Sequence, residues 1–204
     1  MRNKTVSGIF EWAEMFAVSV CIVLAVMTLV LRHSPVSGHS MYPTLHGNAA
    51  YAGDEFAAEQ GKNDVLLVSN LFYTPKSGDI VVTQRKNDMQ DPLVKRVIAV
   101  GGQSIRIDFE SWQVYVDGQP LSEDYVNREE GDMHALDFDA VMSGCAVSAD
   151  GGHIVPEGYI FCMGDNRNHS SDSRAYMIGL IDKRFVVGHV IGRIWPFDRF
   201  GAVK

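Results

Sequence analysis

The chain has 204 residues with a net charge of −7, and 46% of them are apolar and 21% charged, an ordinary composition for one well-buried domain with a small insertion. The acidic balance argues against a nucleic-acid-binding protein, because it implies no basic surface. Three cysteines, Cys21, Cys145 and Cys162, are too few for a disulfide scaffold, and the sequence leaves open whether the last two pair. Because no CxxC or HExxH pattern occurs, no metal site and no cofactor are expected.

The first long apolar segment covers residues 13–31, which would give about 28 Å of helix, close to the roughly 30 Å of a bilayer core. It is apolar all round, which disfavours a core helix, and it is longer than the apolar region of a cleaved signal peptide. Arg32 and His33 also stand where a small-residue cleavage site would follow. We therefore predict a retained transmembrane signal anchor within residues 1–34, with Trp12 at the inner interface.

The orientation of this anchor follows from its basic flanks. Arg2 and Lys4 precede the segment, whereas after it only Arg32 is basic until Lys62. The flank that is richer in basic residues normally stays in the cytoplasm, and acidic residues contribute little to this rule. The pattern predicts a single-pass protein of the cell membrane with a cytoplasmic N-terminus and an extracytoplasmic domain.

We expect the exported domain, residues 35–204, to be mainly β, with short β-branched or alternating segments separated by Gly/Pro turns. The predicted strands are 64–70, 80–82, 93–100, 104–109, 112–116, a strand over 154–163 broken at Pro156-Glu157-Gly158, and a strand pair over 185–195. Asp117-Gly118 is a strong hairpin signal. Residues 127–152 are interpreted as an insertion or long loop, and no amphipathic helix is predicted after residue 60. The expected fold is an antiparallel β-sheet folded over into a barrel-like domain, preceded by one transmembrane helix.

A constrained turn over 36–45, VSGHSMYPTL, lies soon after the anchor. Gly38 permits a positive φ or a close backbone approach, and Pro43 disfavours helix. Ser40 is thereby presented as a candidate nucleophile beside the apolar Met41. We expect Met41 and the nearby aromatic side chains Tyr42, Tyr51 and Phe56 either to rest the domain on the lipid surface or to belong to the core.

Lys95 lies inside the apolar strand 93–100, and strand alternation places it and Arg96 on opposite faces. A lysine in apolar surroundings has a lowered pKa, as a lysine general base requires. The alternative is an edge lysine whose ammonium reaches water, with Arg96 a surface charge.

The polar segment 164–174, GDNRNHSSDSR, has the composition of a hydrogen-bonded loop. Asp172 and Arg174 could form an ion pair, and Ser170 could hold the ammonium of a lysine. The alternative is an ordinary polar loop.

Together, the segments VSGHSMYPTL, SGDIVV (77–82), KRVIAVGG (95–102) and GDNRNHSSDSR resemble, in order, the sequence boxes of bacterial type I signal peptidases. Residues 127–152 lie outside the resemblance. It implies a membrane-bound serine protease with a Ser–Lys dyad, a recognised variant of the catalytic triad, that cleaves signal peptides after Ala-x-Ala-like residues. The expected partners are preprotein signal peptides and the lipid bilayer, with the secretion translocon as a further candidate.

The resemblance also implies roles for single residues. Ser40 resembles the nucleophile and Lys95 the general base, while Ser170 resembles the serine that orients the lysine. Asp172 and Arg174 resemble the supporting pair. Met41 resembles a residue of the small substrate pocket, and the Ser40 backbone N–H would serve the oxyanion hole.

Position 38 departs from some members of the family, which carry there a serine that helps to bind the oxyanion. Gly38 leaves the second oxyanion donor undetermined and matches the compact branch of Gram-positive bacteria. The eukaryotic and archaeal branch, with histidine at the position of Lys95, is disfavoured.

Three other classes of function remain open. One is a Ser–His–Asp hydrolase, for which His153, His169 and His189 are better bases than His39, since adjacent residues rarely face each other. The second is an inactive, membrane-anchored binding or scaffold protein with a protease-like fold. The third is a soluble, self-cleaving Ser–Lys protease, which the anchor disfavours.

Overall fold

The computed structural model describes residues 4–47, 63–84, 92–127 and 137–203. It begins with α1 (Lys4–Leu29), a helix that starts nearer the N-terminus than the predicted 13–31 and ends sooner. Within the described residues one stretch, Gly8–Val26, is long and apolar enough to cross a bilayer, with a mean hydropathy of 2.0 and no part of it buried. This stretch of the helix is thus predominantly apolar and is not buried against the described domain.

The first strand, β1 (Leu31–Pro35), follows α1 directly. It begins inside the segment that the sequence assigned to the anchor, because Leu31 already pairs with Ser69 across the sheet. The β domain therefore starts earlier than the predicted boundary between residues 34 and 35.

Ten further strands follow β1 in the described part of the chain. They are β2 (Val65–Ser69), β3 (Ile80–Thr83), β4 (Leu93–Val100), β5 (Ser104–Asp108), β6 (Gln113–Val116), β7 (Gln119–Pro120), β8 (His153–Ile154), β9 (Tyr159–Met163), β10 (Ile181–Asp182) and β11 (Val186–Trp195). They form a seven-stranded sheet, ordered β1-β2-β11-β3-β4-β9-β10, and a four-stranded sheet, ordered β7-β6-β5-β8. All strand pairs are antiparallel, which confirms the predicted mainly β, antiparallel fold behind an apolar helix.

The predicted turns lie where expected. Asp117 and Gly118 have φ values of 52° and 73° and join β6 to β7, as a two-residue hairpin requires. The predicted break at residues 156–158 separates β8 from β9, with Gly158 at φ 83°.

The predicted strand pair over 185–195 is wrong, because β11 is one continuous strand between β2 and β3. Its glycines do not form a turn. A Cβ at Gly188 would lie 2.6 Å from the carbonyl oxygen of Ser69, and one at Gly192 would lie 2.8 Å from that of Gly201. Both glycines thus permit close approach of a neighbouring backbone, and register shifts beside them let the strand bend.

The predicted loop over 127–152 is partly regular. Residues 128–136 lie outside the described residues, but the remainder includes the short helix α2 (Phe138–Met142). Phe138 and Met142 are buried in the core beside β9, where Phe138 makes an edge contact with Phe161 at 5.7 Å between ring centroids. This segment therefore closes part of the core, which a purely polar loop would not do.

The cysteines are free thiols. Cys162 is buried in a small cluster between the central strands, whereas Cys145 packs on the separate core cluster that contains Phe138. Burial raises the pKa of the Cys162 thiol well above its ordinary value.

Candidate active site

Ser40 lies in a turn that leaves the end of β1. Gly38 has a φ of +74°, the left-handed conformation for which glycine is best suited. The turn closes with a hydrogen bond from the Tyr42 N–H to the His39 carbonyl at 3.0 Å and one from Leu45 to Met41 at 2.9 Å. Ser40 is half-buried on this turn, beside the central strands.

Lys95 reaches the same place from the middle of β4. Its Nζ lies 2.6 Å from Oγ of Ser40 and donates to the Val94 carbonyl at 3.1 Å. Only 3% of Lys95 is exposed, so the alternative of an edge lysine reaching water does not describe this side chain. The structure therefore joins the two residues predicted to act together.

Burial changes the acidity of this lysine. Removing its ammonium from water lowers the pKa of Lys95 from 10.5 to about 8, and the negative charge of Asp172 opposes the shift only in part. About one lysine in ten is then neutral near pH 7, against about one in three thousand for a pKa of 10.5. A hydroxyl held beside such an amine has a base within hydrogen-bond distance.

The segment after β9 forms a buried network next to this pair. Asp172 accepts from Nε of Arg174 at 2.8 Å, from the Gly164 N–H at 2.9 Å and from the Ser170 hydroxyl at 2.7 Å. Burial by itself raises the pKa of the Asp172 carboxyl, but the Arg174 guanidinium and these hydrogen bonds outweigh it, so its pKa lies below its ordinary value. The predicted Asp172–Arg174 ion pair is present.

Among the described residues, Ser170 makes no hydrogen bond with Lys95. Its hydroxyl donates to Asp172, while the hydrogen bonds of Lys95 in the described residues go to Ser40 and Val94. The role of Ser170 in orienting the lysine therefore stays a prediction.

Gly164 explains how the network approaches the candidate nucleophile. A Cβ at this position would lie 2.2 Å from Oγ of Ser170 and 2.4 Å from the carbonyl oxygen of Ser40. Only glycine leaves room for both neighbours, so Gly164 brings the Asp172 network against the Ser40 turn.

The sequence analysis missed a second buried ion pair. Arg96, expected as a surface charge in one reading, is 3% exposed and donates to Asp165 from Nε at 2.9 Å and from a terminal nitrogen at 2.7 Å. Asp165 also accepts from the Thr44 hydroxyl at 2.5 Å. Lys95 and Arg96 do lie on opposite faces of β4, but both faces are covered by protein. The guanidinium of Arg96 therefore needs a buried partner.

A small cavity of about 90 Å³ opens beside the pair, lined by Ser40, Met41, Val94 and Lys95 among other residues. Met41 is 1% exposed and belongs to the core cluster under the turn. Of the two alternatives for Met41, contact with lipid or a place in the core, the second is the one found, because its side chain is enclosed by the protein. Tyr51 and Phe56 lie outside the described residues.

Each of the four histidines that could have served as the base makes a ring contact with another residue. His189 stacks on Tyr73 with ring centroids 4.1 Å apart, and His153 packs against Phe138. His39 and His169 contact each other, with ring centroids 5.5 Å apart. Within the described residues, the side-chain hydrogen-bond partner of the Ser40 hydroxyl is Lys95.

In the described part of the chain, no group of three or more His, Cys, Asp or Glu side chains is placed to hold a metal ion. The groups at this site are a hydroxyl, a buried amine and a paired carboxylate. Such a set suits acyl transfer through a serine.

Comparison with known proteins places this site in a family. The family model of signal peptidase, peptidase S26, matches residues 9–195. The chain is 31% identical to a probable signal peptidase I-1 of Synechocystis, covering 100% of this chain and 93% of the relative. It is 30% identical to signal peptidase IB of Staphylococcus aureus strain COL, covering 94% and 92%. It is 28% identical to signal peptidase I of Mycobacterium tuberculosis, covering 97% and 76%.

Among solved structures, a signal peptidase I from Enterococcus faecalis V583 superposes with a TM-score of 0.42 at 26% identity, over 57% of this chain and 97% of that one. The family match itself extends from inside α1 to the end of β11. The chain therefore belongs to the signal peptidase family, peptidase S26, and is a serine peptidase.

Proposed function

We propose that this chain is a membrane-anchored endopeptidase that cleaves the signal peptides of exported preproteins with Ser40 as nucleophile and Lys95 as general base. The observation that carries the proposal is the 2.6 Å distance between Lys95 Nζ and Ser40 Oγ in a buried setting. The names of the relatives agree with the proposed substrate.

In the first half of the reaction, neutral Lys95 takes the proton of the Ser40 hydroxyl as its oxygen attacks the carbonyl carbon of the scissile bond. The tetrahedral intermediate collapses to an acyl-enzyme, and the lysine passes its proton to the departing amine. In the second half, Lys95 takes a proton from a water whose oxygen attacks the acyl carbon, the bond to the Ser40 oxygen breaks and the signal peptide leaves with a new carboxyl end, and the lysine returns the proton to Ser40. The lowered pKa near 8 supports this cycle, since the same amine must accept and return a proton near neutral pH.

The negative charge of the intermediate requires a donor beside Ser40. We assign this role to the Ser40 backbone N–H, because Gly38 offers no side-chain donor. In this proposal Asp172 and Arg174 act as supporting residues that fix the loop next to the pair, and Ser170 of the same loop orients the lysine.

The cavity next to the pair supports selection of small residues. Its volume of about 90 Å³ is far below the roughly 300 Å³ of a pocket for a drug-sized ligand. A space of this size suits a small side chain such as that of alanine better than a large one. We expect Ala-x-Ala-like sites, bound as an extended strand that makes main-chain hydrogen bonds.

Helix α1 supports the anchoring. Its apolar stretch is unburied, and Trp12 is 72% exposed near the end where aromatic residues sit at a membrane interface. We infer a cytoplasmic N-terminus, from Arg2 and Lys4, and an extracytoplasmic catalytic domain. Anchor and substrate then share one bilayer, which raises their effective concentration.

Cleavage of a preprotein with an Ala-x-Ala site by the full-length protein in detergent tests this function. We expect the wild type to cut, and Ser40→Ala and Lys95→Ala to remain folded and not to cut. Cleavage by Lys95→Ala would place the base elsewhere. If the wild type did not cleave preproteins with Ala-x-Ala sites, the hypothesis of an inactive scaffold protein would be favoured.

A further inference from the structure

We propose that Asn166 is a positioning residue: its carboxamide holds the His39–Ser40 peptide so that the Ser40 N–H faces the oxygen of the reacting carbonyl. The inference rests on the proposed function, since it takes Ser40 as the nucleophile. It adds a residue for which the sequence analysis predicted no role.

Asn166 ties two successive carbonyl groups of the turn. Its side-chain Nδ2 donates to the His39 carbonyl at 3.2 Å, as a second donor beside the Tyr42 N–H at 3.0 Å, and its backbone N–H donates to the Ser40 carbonyl at 3.0 Å. Asn166 is fully buried, so water does not compete for either bond.

The carboxamide is itself held in one orientation. Its Oδ1 faces Nδ2 of Asn127 at 3.4 Å, which leaves the Asn166 amino group to point at His39. Asn127 is fixed in turn by backbone hydrogen bonds to the neighbours of Asn166, from its N–H to Asp165 at 2.9 Å and to its carbonyl from Arg167 at 3.2 Å.

Because the peptide group is planar, the hydrogen bond to the His39 carbonyl also orients the Ser40 N–H. The His39 carbonyl and the Ser40 N–H belong to one planar trans unit and point in opposite directions, so fixing the first fixes the second. In the described part of the chain the Ser40 N–H donates to no acceptor, which leaves it available to a substrate oxygen. Asn166 therefore acts on the oxyanion through the peptide behind it.

The expected loss of kcat on removing the Asn166 side chain can be estimated from the value of the oxyanion donor, the Ser40 N–H. Removing one oxyanion donor from a serine protease costs about 100- to 1,000-fold in kcat. Losing the tie leaves the donor present but less well aimed, so we expect a smaller loss, about 10- to 100-fold. Gly38 makes the chain depend on this N–H, because no hydroxyl at that position shares the charge.

The test compares full-length Asn166→Ala and Asn166→Asp with the wild type in detergent, on the same preprotein substrate. Both variants keep the backbone bond to the Ser40 carbonyl and lose the side-chain donor to His39. We expect kcat per titrated active site to fall about 10- to 100-fold, with KM changed less than about threefold. In Asn166→Ala the pH at which activity is half-maximal should stay that of the wild type, because this substitution changes no charge near Lys95.

A transition-state analogue separates positioning from support of the fold. The affinity for a peptide boronate, which becomes tetrahedral on the serine, should fall by about the same factor as kcat. The affinity for an uncleavable peptide of the same sequence should not change. Asn70→Ala, an exposed asparagine after β2, is the control and should match the wild type.

Wild-type kcat per active site in either Asn166 variant, or a loss confined to KM or to the fraction of active protein, would overturn the inference. Asn127→Ala leaves Asn166 in place and loosens only its carboxamide, so it should lose less kcat in the same direction. If the Asn166 variants do not fold, an unchanged kcat in Asn127→Ala overturns the inference instead. Cleavage by Ser40→Ala would be a different failure, that of the proposed function.

Discussion

Replacing Lys95 by methionine should stabilise the fold while abolishing cleavage. Methionine keeps an unbranched side chain of similar length in the buried site but carries no charge. Burial lowers the pKa of Lys95 from 10.5 to about 8, and at about 1.4 kcal/mol per pKa unit this difference represents about 3 kcal/mol of destabilisation when the lysine is ionised. The lost hydrogen bonds to Ser40 and to the Val94 carbonyl, at about 1 kcal/mol each, offset about 2 kcal/mol of the gain. We expect Lys95→Met to unfold with a free energy about 1 kcal/mol higher near pH 7.

The sign of the pH dependence follows from linkage. Between about pH 8 and 10.5 the unfolded chain holds the lysine proton and the folded chain does not, so wild-type stability rises with pH there. The destabilisation caused by burying the ionised lysine is fully present below about pH 8 and is gone above about pH 10.5. Raising the pH from 7 to 10 should therefore add about 2 kcal/mol to the wild type relative to Lys95→Met.

Urea unfolding of the two full-length proteins in detergent, followed by tryptophan fluorescence, measures this difference. Lys76→Met is the matched control, because Lys76 is exposed and water solvates it in folded and unfolded chains alike. If wild type and Lys95→Met showed parallel stability profiles from pH 7 to 10, Lys95 would not be a destabilised buried amine and the reasoning would be refuted.

Three further predictions concern the same site. In wild type, kcat/KM should rise about tenfold per pH unit below about pH 8 and level off above it, since neutral Lys95 is the active form; a flat profile from pH 6 to 9 would argue against it. Gly164→Ala should lose activity, because its Cβ would lie 2.4 Å from the Ser40 carbonyl oxygen, whereas Gly144→Ala, with nothing within 4 Å, should cleave normally. Asp172→Asn should lower the free energy of unfolding by about 3 to 5 kcal/mol, since it leaves a buried guanidinium uncompensated; an unchanged melting temperature would contradict this.

The local parts of this fold were predictable from the sequence. The β-branched run 93–100 coincides with β4, and the Asp117-Gly118 hairpin lies where turn chemistry puts it. These features depend on residues close in sequence, whose backbone preferences agree with the final structure. For Lys95 the strand pattern alone left open both a buried lysine and an edge lysine that reaches water, and the structure buries it.

The long-range parts were not predictable in the same way. Arg96 and Asp165 pair across sixty-nine residues, and no local pattern indicates which carboxylate meets which guanidinium. From the sequence Gly188 resembles a turn residue, and only the close approach of the Ser69 backbone in the folded sheet explains why it is glycine. Met41 follows the predicted membrane anchor closely in the sequence, but in the structure its side chain belongs to the core.

The mapping of a trapped acyl group tests the central claim most directly. A peptide ester ending in Ala-x-Ala would be mixed with the full-length protein, quenched in acid within one turnover, digested and examined by mass spectrometry. The proposed dyad predicts an acyl group on Ser40 in the wild type and none formed at a measurable rate in Lys95→Met. An acyl group on another residue, or acylation of Ser40 at the wild-type rate without the lysine, would contradict it.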